Sequence, residues 1–277
     1  MVEDDASLRP PDEVLEHYAD GYEAGRLFSG RGILERIRTE QLLLAALPPS
    51  PARIVDVGGG PGHYAAFLAE RGYEVHLVDP VGIHVERAGD LAGRRGLPVT
   101  VEAGDARRIE LPDASADAVF LLGPLYHLTE RRDRLLALRE ASRILRPGGL
   151  VVAAAISRFA SLYDGYTMGL ADDPAFRDIV DRDLAEGQHR NLGNHPSYFT
   201  TAFFHRPEDL REELEEAGDI VERIVAVEGP FAFLPDLAAR WSDGPMRQHI
   251  LRSIEAIERE PSLLGATAHL LAVARRP

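Results

Sequence analysis

The feature that most constrains the fold of this 277-residue chain is an apolar run at residues 54 to 57 that enters a glycine-rich turn. Three glycines alternate in that turn: Gly58, Gly60 and Gly62. Glycine tolerates positive φ angles and lets the backbone approach a ligand without a Cβ atom in between. A dinucleotide fingerprint needs a further glycine three positions after Gly60, and this chain has His63 there. The turn predicts an α/β protein with a nucleotide-like ligand, and a dinucleotide is the poorer fit.

Further β-rich runs follow, separated by helix-forming sequence. They lie at residues 73 to 79, 98 to 103, 116 to 122, 149 to 156, 220 to 227 and 268 to 275. Strands that alternate with helices are typical of a parallel sheet covered by helices. In such a sheet, ligands bind beyond the carboxyl ends of the strands. Residues that end these strands are therefore the first candidates for a binding site.

Two carboxylates follow the second and third of these strands. Asp79 ends the second run 17 positions after Gly62, where an acid can accept hydrogen bonds from both hydroxyls of a ribose. The alternative role for Asp79 is to cap the helix that follows, since aspartate is a good N-cap residue. After the third run, the Asp105 carboxylate and the backbone N–H of Ala106 could read the edge of an adenine ring.

The pattern from Asp56 to Gly62, an acidic residue followed by alternating glycines, resembles the first motif of class I S-adenosylmethionine-dependent methyltransferases. The turn Leu-Arg-Pro-Gly-Gly-Leu-Val-Val at residues 145 to 152 is also characteristic of that family. The resemblance covers residues 50 to 157 and extends more loosely to the C-terminus. It implies an α/β fold with a doubly wound, mostly parallel seven-stranded sheet (Rossmann-like), whose last strand is antiparallel. Asp219 departs from the family, which usually has an apolar residue there, so an irregular entry into the strand at 220 to 227 is expected.

The resemblance also implies S-adenosylmethionine as the cofactor and indicates the residues that contact it. Those of the core are Asp56, Gly58, Gly60, Gly62, Asp79, Pro80, Asp105, Ala106 and Leu122. In related enzymes N-terminal helices cover the cofactor, which makes Tyr22, Arg26 and Arg38 candidates for holding its carboxylate. Guanidinium and carboxylate groups form paired hydrogen bonds, which suits both arginines. Arg38 is the preferred candidate because it begins the helix that leads into the first strand. A solvated helix face is the alternative interpretation of these residues.

Composition excludes several classes of function. The net charge of −14 opposes nucleic-acid binding, which needs clustered cationic side chains. The chain has no cysteine, and its 31 cationic residues are all arginine, so thiol nucleophiles, lysine Schiff bases and the P-loop lysine are excluded. No apolar run approaches the length of about 20 residues that a membrane span needs, and the first residues are acidic. A cytoplasmic protein without nucleic-acid or membrane partners is expected.

The chain is expected to form one α/β unit with additions. Residues 1 to 50 are predicted to form an N-terminal helical cover, residues 51 to 157 the cofactor-binding core, and residues 207 to 277 the rest of the core sheet. Residues 158 to 206 are rich in aromatic side chains and are predicted to form a lid over the acceptor. A helical insertion at 229 to 264 either closes the far side of the pocket or builds a homodimer surface.

The segment after the fourth strand, residues 122 to 128, narrows the reaction within the family. Gly123 stands where amino-methylating nucleic-acid enzymes have an Asp or Asn side chain, and no carboxylate lies between Asp117 and Glu130 to hold magnesium. What remains is metal-free methyl transfer by in-line displacement to a small, apolar or aromatic acceptor. Three histidines are candidates for a general base toward a hydroxyl acceptor: His127, His195 and His205. The alternative for His127 is that it shapes the pocket, and an amine acceptor needs no base.

Three other functions stay open at this point. The chain could be a catalytically silent module that binds S-adenosylmethionine, or an enzyme that uses this cofactor without methyl transfer. A nicotinamide oxidoreductase is disfavoured by the glycine spacing, and the absence of lysine rules out a Tyr-x-x-x-Lys pair.

Overall fold

The computed structural model describes residues 23 to 193, 195 and 197 to 277. The helices in these residues are α1 (Glu23–Arg26), α2 (Gly32–Ala46), α3 (His63–Ala69), α4 (Gly82–Arg95), α5 (Pro124–His127), α6 (Arg131–Ile144), α7 (Ala160–Thr167), α8 (Pro174–Glu186), α9 (Pro207–Ala217), α10 (Leu237–Ser242) and α11 (Gly244–Ile257). The strands are β1 (Arg53–Val57), β2 (Glu74–Asp79), β3 (Val99–Ala103), β4 (Ala116–Leu121), β5 (Leu145–Ser157), β6 (Gln188–His189), β7 (Ala202–His205), β8 (Ile220–Ala226) and β9 (His269–Arg275).

The strands form one sheet in which β3, β2, β1, β4 and β5 are parallel neighbours in that order. Strand β9 runs antiparallel between β5 and β8. The predicted doubly wound, mostly parallel α/β fold is confirmed, as is its antiparallel last strand. The predicted count of seven strands misses β6 and β7, which brings the sheet of the described residues to nine. The two extra strands form a short hairpin, and β7 pairs with the end of β5 at Ile156 and Ser157.

Helices cover both faces of the sheet, which explains why its strands are apolar runs rather than alternating ones. On one face, α6 and α9 bury a set of apolar side chains: Leu138, Ala141, Ile144, Leu210 and Leu214. On the other face, α2, α3 and α4 contribute Leu42, Leu43, Ala65, Leu68 and Ala88. In the part of the chain that the structure describes, no helix is both long and apolar enough to cross a bilayer.

Two strands differ at their start from the sequence pattern. The helix before β5 ends at Ile144, and β5 begins at Leu145 rather than at Gly149, because Leu145 already pairs with Ala116 across an irregular register. The entry into β8 is irregular, as the unusual Asp219 predicts, with a register shift between Val221 and Arg223.

The helical insertion at 229 to 264 packs against α2. Leu34 and Ile37 of α2 share a cluster with Phe231, Leu234, Trp241, Ile250, Leu251 and Ile254 of the insertion. These apolar side chains are therefore used to hold α2 over the sheet. Both roles predicted for the insertion, closure of the pocket and a homodimer surface, stay predictions.

Candidate active site

A cavity of about 420 Å³ lies at the carboxyl edge of the sheet. Its walls come from the loops after β1, β2, β3 and β4, from the segment between α1 and α2, from α2 itself and from the start of β9. None of the described residues of the insertion at 158 to 206 is among them. The N-terminal segment at 26 to 28, rather than that insertion, supplies the nearest cover.

The glycine loop forms one wall of the cavity, and its backbone conformation favours glycine. Gly58, Gly60 and Gly62 have φ angles of +69°, +57° and +84°. A Cβ atom on Gly58 would lie 2.7 Å from Pro124, and one on Gly62 would lie 2.9 Å from the Cβ of Ala88. Gly60 meets nothing within 4 Å and lines the cavity, whereas Gly62 does not line it. Gly62 thus serves the packing of α3 against α4, and Gly58 and Gly60 serve the cavity.

Asp79 is buried at the end of β2 and lines the cavity. Its Oδ2 accepts a hydrogen bond from the Gly60 N–H at 2.8 Å, and its Oδ1 accepts one from the Val81 N–H at 2.9 Å. His84 Nδ1 lies 3.1 Å from the same Oδ1. The N-cap of α4 is Val81, so the alternative role of Asp79 as a helix cap is not the one observed. The carboxylate is held in place between the glycine loop and α4.

Asp56 has the most unusual surroundings of these residues. Its side chain is 1% exposed, and neither carboxylate oxygen has a hydrogen-bond partner within the described residues. Burial and the negative charge of Asp79 raise the pKa of Asp56 to about 7. A buried carboxylate without a partner is costly, and such groups concentrate at functional sites. Asp56 lines the cavity and is available for a polar or cationic group of a ligand.

Asp105 is engaged with Arg107, a residue that the sequence analysis does not single out. Arg107 donates from Nε to Oδ1 at 2.8 Å and from Nη2 to Oδ2 at 2.9 Å, and its Nη1 reaches Asp133 at 3.0 Å. Asp105, Ala106 and Arg107 all line the cavity. An adenine-binding role for Asp105 therefore has to be shared with the guanidinium of Arg107.

Of the remaining predicted residues, Pro80, Leu122 and His127 line the cavity. The His127 ring contacts Tyr126 at 4.7 Å and Phe199 at 6.0 Å between centroids. These ring contacts fit the pocket-shaping alternative for His127. Tyr22 lies outside the described residues.

Besides Gly62, three other predicted residues do not reach the cavity. Arg38 is 2% exposed, donates to the Val227 carbonyl and pairs with Glu258, so it ties α2 to the end of α11. His205 is fully buried, with Nε2 3.3 Å from Glu213, and this burial lowers its pKa. His195 is exposed and stacks on Tyr198 at 4.1 Å. Their positions do not fit the predicted contacts with cofactor and acceptor.

The structure brings a charged cluster to the cavity, and Arg26 is its one member that the sequence predicts as a site residue. It consists of Arg26, Glu35, Glu228 and His269. Arg26 holds both oxygens of Glu35, and His269 Nδ1 lies 2.6 Å from Glu228 Oε1 and 4.0 Å from Glu35 Oε2. Burial opposes ionisation of Glu35, but His269 and Arg26 outweigh it and lower the pKa of Glu35 to about 2. The signal for His269 is topological: the first residue of an antiparallel last strand lies at the carboxyl edge of the other strands.

Glu35, Glu228 and His269 also form the one group of potential metal ligands found among the described residues. Their ligand atoms are already engaged, because Arg26 occupies both oxygens of Glu35 and Glu228 accepts from His269. The two cations and two carboxylates balance in charge. The four side chains therefore form an ion-pair network in which each charged group already has a partner of opposite charge.

Comparisons with known proteins indicate the family to which the chain belongs. Residues 54–149 match the methyltransferase domain family. The chain is 31% identical over 173 residues to a ubiquinone/menaquinone biosynthesis C-methyltransferase of Caulobacter vibrioides. The matched stretch covers 57% of this chain and 68% of that protein. It is 29% identical over 182 residues to an S-adenosyl-L-methionine-dependent Diels-Alderase of Talaromyces variabilis, covering 54% of this chain and 61% of that protein. The structure of an S-adenosylmethionine-dependent methyltransferase from Mesorhizobium loti has a TM-score of 0.59 at 20% identity, covering 88% of this chain and all of that one, a likeness that shows the fold alone.

The strand order and the glycine loop at the carboxyl edge define a Rossmann-like protein with a nucleoside-cofactor site. With the match to the Caulobacter enzyme, the chain belongs to the class I S-adenosylmethionine-dependent methyltransferase family, as the glycine motif predicts. S-adenosylmethionine is the cofactor of that family. The chain spans between 44% and 61% of the length of three curated relatives, the Diels-Alderase among them.

Proposed function

We propose that this protein transfers the methyl group of S-adenosylmethionine to a small, apolar or aromatic metabolite by metal-free in-line displacement. The observation that carries the proposal is Asp56, a buried carboxylate without a partner among the described residues. It lies next to a glycine loop in which a Cβ atom on Gly58 would clash with Pro124. Such a cradle fits a ligand that combines a nucleoside with a cationic end.

The residues present fit the cofactor at three points. Asp79 would bind the ribose hydroxyls, Asp105 and Ala106 would face the adenine, and Asp56 with Gly58 and Gly60 would face the methionine end. The bound cofactor supplies an activated sulfonium methyl group. The chain contributes alignment of the acceptor and exclusion of water, which the reaction needs more than it needs a base.

The rest of the cavity supports an apolar acceptor. Its walls include Leu27, Phe28, Tyr126, Leu128, Val227 and Leu271. Because α1 and the segment after it supply part of this wall, we propose that residues 1 to 50 act as the cover. Among the described residues, the insertion at 158 to 206 contacts residues of the cavity wall without lining the cavity: Phe199 lies beside Tyr126 and His127, and Gln188 donates to the Thr129 carbonyl. We further propose that the protein acts in the cytoplasm without nucleic acid, given its net charge of −14.

Titration calorimetry tests this proposal directly. We expect binding of S-adenosylhomocysteine but not of NAD, and Asp79→Ala should weaken that binding roughly 10- to 150-fold, because hydrogen bonds to a charged group are lost, worth about 1.5 to 3 kcal/mol. Asp90→Ala is the matched control, since Asp90 lies exposed on α4. A change below about twofold for Asp79→Ala, or NAD binding as tight as that of S-adenosylhomocysteine, would contradict the proposal.

A second candidate is a cofactor-assisted cyclisation without methyl transfer. The observation that favours it is the 29% identity to the Diels-Alderase over 182 residues. The two functions differ in whether the cofactor is consumed. Methyl transfer yields one S-adenosylhomocysteine per product, and cyclisation leaves S-adenosylmethionine intact, so chromatography of the cofactor after turnover distinguishes them.

A further inference from the structure

The His269 side chain is held in a fixed position in the wall of the cavity. It is the first residue of β9 and pairs in register with Ile156 at the end of β5. Glu228, which is 2% exposed, accepts from both the Nδ1 and the backbone N of His269, at 2.6 and 3.1 Å. Thr267 Oγ1 donates to the same carboxylate at 3.0 Å. Three hydrogen bonds to one buried carboxylate therefore fix the imidazole ring.

The other ring nitrogen is the one left to meet a ligand. The His269 side chain is 23% exposed and lines the cavity. With Nδ1 turned to the buried Glu228, Nε2 lies on the opposite side of the ring. No hydrogen bond of Nε2 to any described residue is observed, and it is not among the buried atoms that lack a partner. Nε2 is therefore open to the cavity.

The surrounding charges decide the protonation of this ring. Burial alone would lower the pKa of His269, but Glu35 and Glu228 outweigh it and raise the pKa to about 9, with Arg26 opposing. The next charged groups, Asp164 and Arg31, pair with each other. At neutral pH the ring carries protons on both nitrogens, so Nε2–H is a cationic hydrogen-bond donor and not a base.

We propose that His269 binds an oxygen of the acceptor through Nε2–H, and that it selects acceptors bound as phenolates or enolates. Glu228 acts as its positioning residue. The inference rests on the proposed function, since it concerns the acceptor of that same site. A fixed cationic donor in a water-poor pocket stabilises an oxyanion more than the neutral hydroxyl. The apolar walls at Tyr64, Val227 and Leu271 would hold the body of the ring. His269 forms no covalent bond in this role.

A nitrophenol is a suitable probe because its phenolate absorbs in the visible and reports the ionisation of the bound molecule. With S-adenosylhomocysteine present, we expect the pKa of bound 4-nitrophenol to fall by at least about one unit, a tenfold gain in phenolate at a given pH. His269→Gln should abolish this shift, and Glu228→Gln should reduce it. His249→Gln is the matched control, since His249 lies exposed on α11. A pH titration of the His269 ring by NMR should show a doubly protonated ring at neutral pH, lost in Glu228→Gln.

The same experiment separates the inference from the proposed function. Binding of S-adenosylhomocysteine should stay within about twofold of wild type in all three variants, and its absence in the wild type would remove the proposed function. If the cofactor product binds but 4-nitrophenol stays neutral, fails to bind, or ionises equally with His269→Gln, the role of His269 is wrong. Tight binding of Zn²⁺ or Mg²⁺ to wild type that His269→Gln abolishes would overturn it as well, in favour of a metal centre. If Glu228→Gln does not fold, the comparison of wild type with His269→Gln still tests the role of His269.

Discussion

At the scale of single residues, Asp56 couples the site to pH. Its pKa of about 7 leaves the carboxyl protonated below neutral pH, and only the ionised form attracts a ligand with a sulfonium and an ammonium group. We therefore expect the affinity for S-adenosylmethionine to rise between about pH 6 and about pH 8, by up to about tenfold per unit below the pKa. Calorimetry over this range tests it. Asp56→Asn should bind weakly at every pH, and an equal slope in that variant would contradict the assignment.

The same carboxyl group sets a stability prediction for the ligand-free protein. Its pKa rises from 3.8 in the unfolded chain to about 7 in the fold, so stability is lost as the pH increases from the first value to the second. The shift corresponds to an upper bound of roughly 4 kcal/mol above pH 7. Asp56→Asn should thus raise the free energy of unfolding at about pH 8, measured by denaturant titration, while it weakens cofactor binding. An unchanged or lower stability would show that Asp56 finds a partner in solution.

At the scale of elements, a buried network joins α6, α9 and β7. Arg134 donates to both oxygens of Glu213, at 2.7 to 3.1 Å, and His205 contacts the same carboxylate. Burial opposes ionisation of Glu213, but His205 and Arg134 outweigh it and lower its pKa to about 2. His205 thus stabilises the attachment of the hairpin and has no access to the cavity.

Removal of Glu213 should be costly because it leaves the buried Arg134 without its partner. We expect Glu213→Ala to lower the free energy of unfolding by about 3 to 5 kcal/mol. The contribution of Glu213 should be present above its unfolded pKa of 4.5 and should fade as the pH falls toward about 2. Glu216→Ala is the control, since Glu216 pairs with Arg131 at the surface and should change stability little. Equal effects of the two substitutions in urea denaturation would contradict this account.

Elements with a strong local pattern were predictable from sequence, and those that depend on distant pairing were not. The parallel strands and α6 follow from apolar runs and helical spacing. The early start of β5 does not follow from the local sequence. Pro147 and Gly148 favour a turn, and Leu145 joins the sheet because it pairs with Ala116 of β4. Likewise β6 has two residues, too few for any pattern, and exists through pairing with Phe203 and Ala202.

At the scale of the whole molecule, the two halves of the site differ in predictability. The residues proposed for the cofactor are local: Asp79 ends a strand, Gly60 and Asp105 follow one, and Asp56 is the last but one residue of β1. The acceptor side joins Arg26 and Glu35 near the start of the chain to His269 near its end, which no short motif encodes. Arg38, His195 and His205, which lie away from the cavity, were all chosen from segments without a motif.

Hydrogen exchange can test which part of the molecule covers the site. We expect S-adenosylhomocysteine together with an acceptor analogue to protect residues 26 to 39 most, because Arg26, Glu35 and Thr39 line the cavity. Strand β1 lies in the middle of the sheet and should change little. The insertion at 158 to 206 should respond less than residues 26 to 39. Stronger protection of that insertion would instead identify it as the lid.

The position of β9 between β5 and β8 also has a consequence for how the protein is made. The residues on the cofactor side leave the ribosome early. The sheet stays open between β5 and β8 until residues 269 to 275 have been synthesised. At typical synthesis rates, roughly ten to thirty seconds separate Asp105 from His269. During that time β5 and β8 expose unpaired edges, which are prone to pair with other chains. Chains in which residues 269 to 275 have not yet paired with β5 and β8 are therefore the ones most prone to edge-to-edge association.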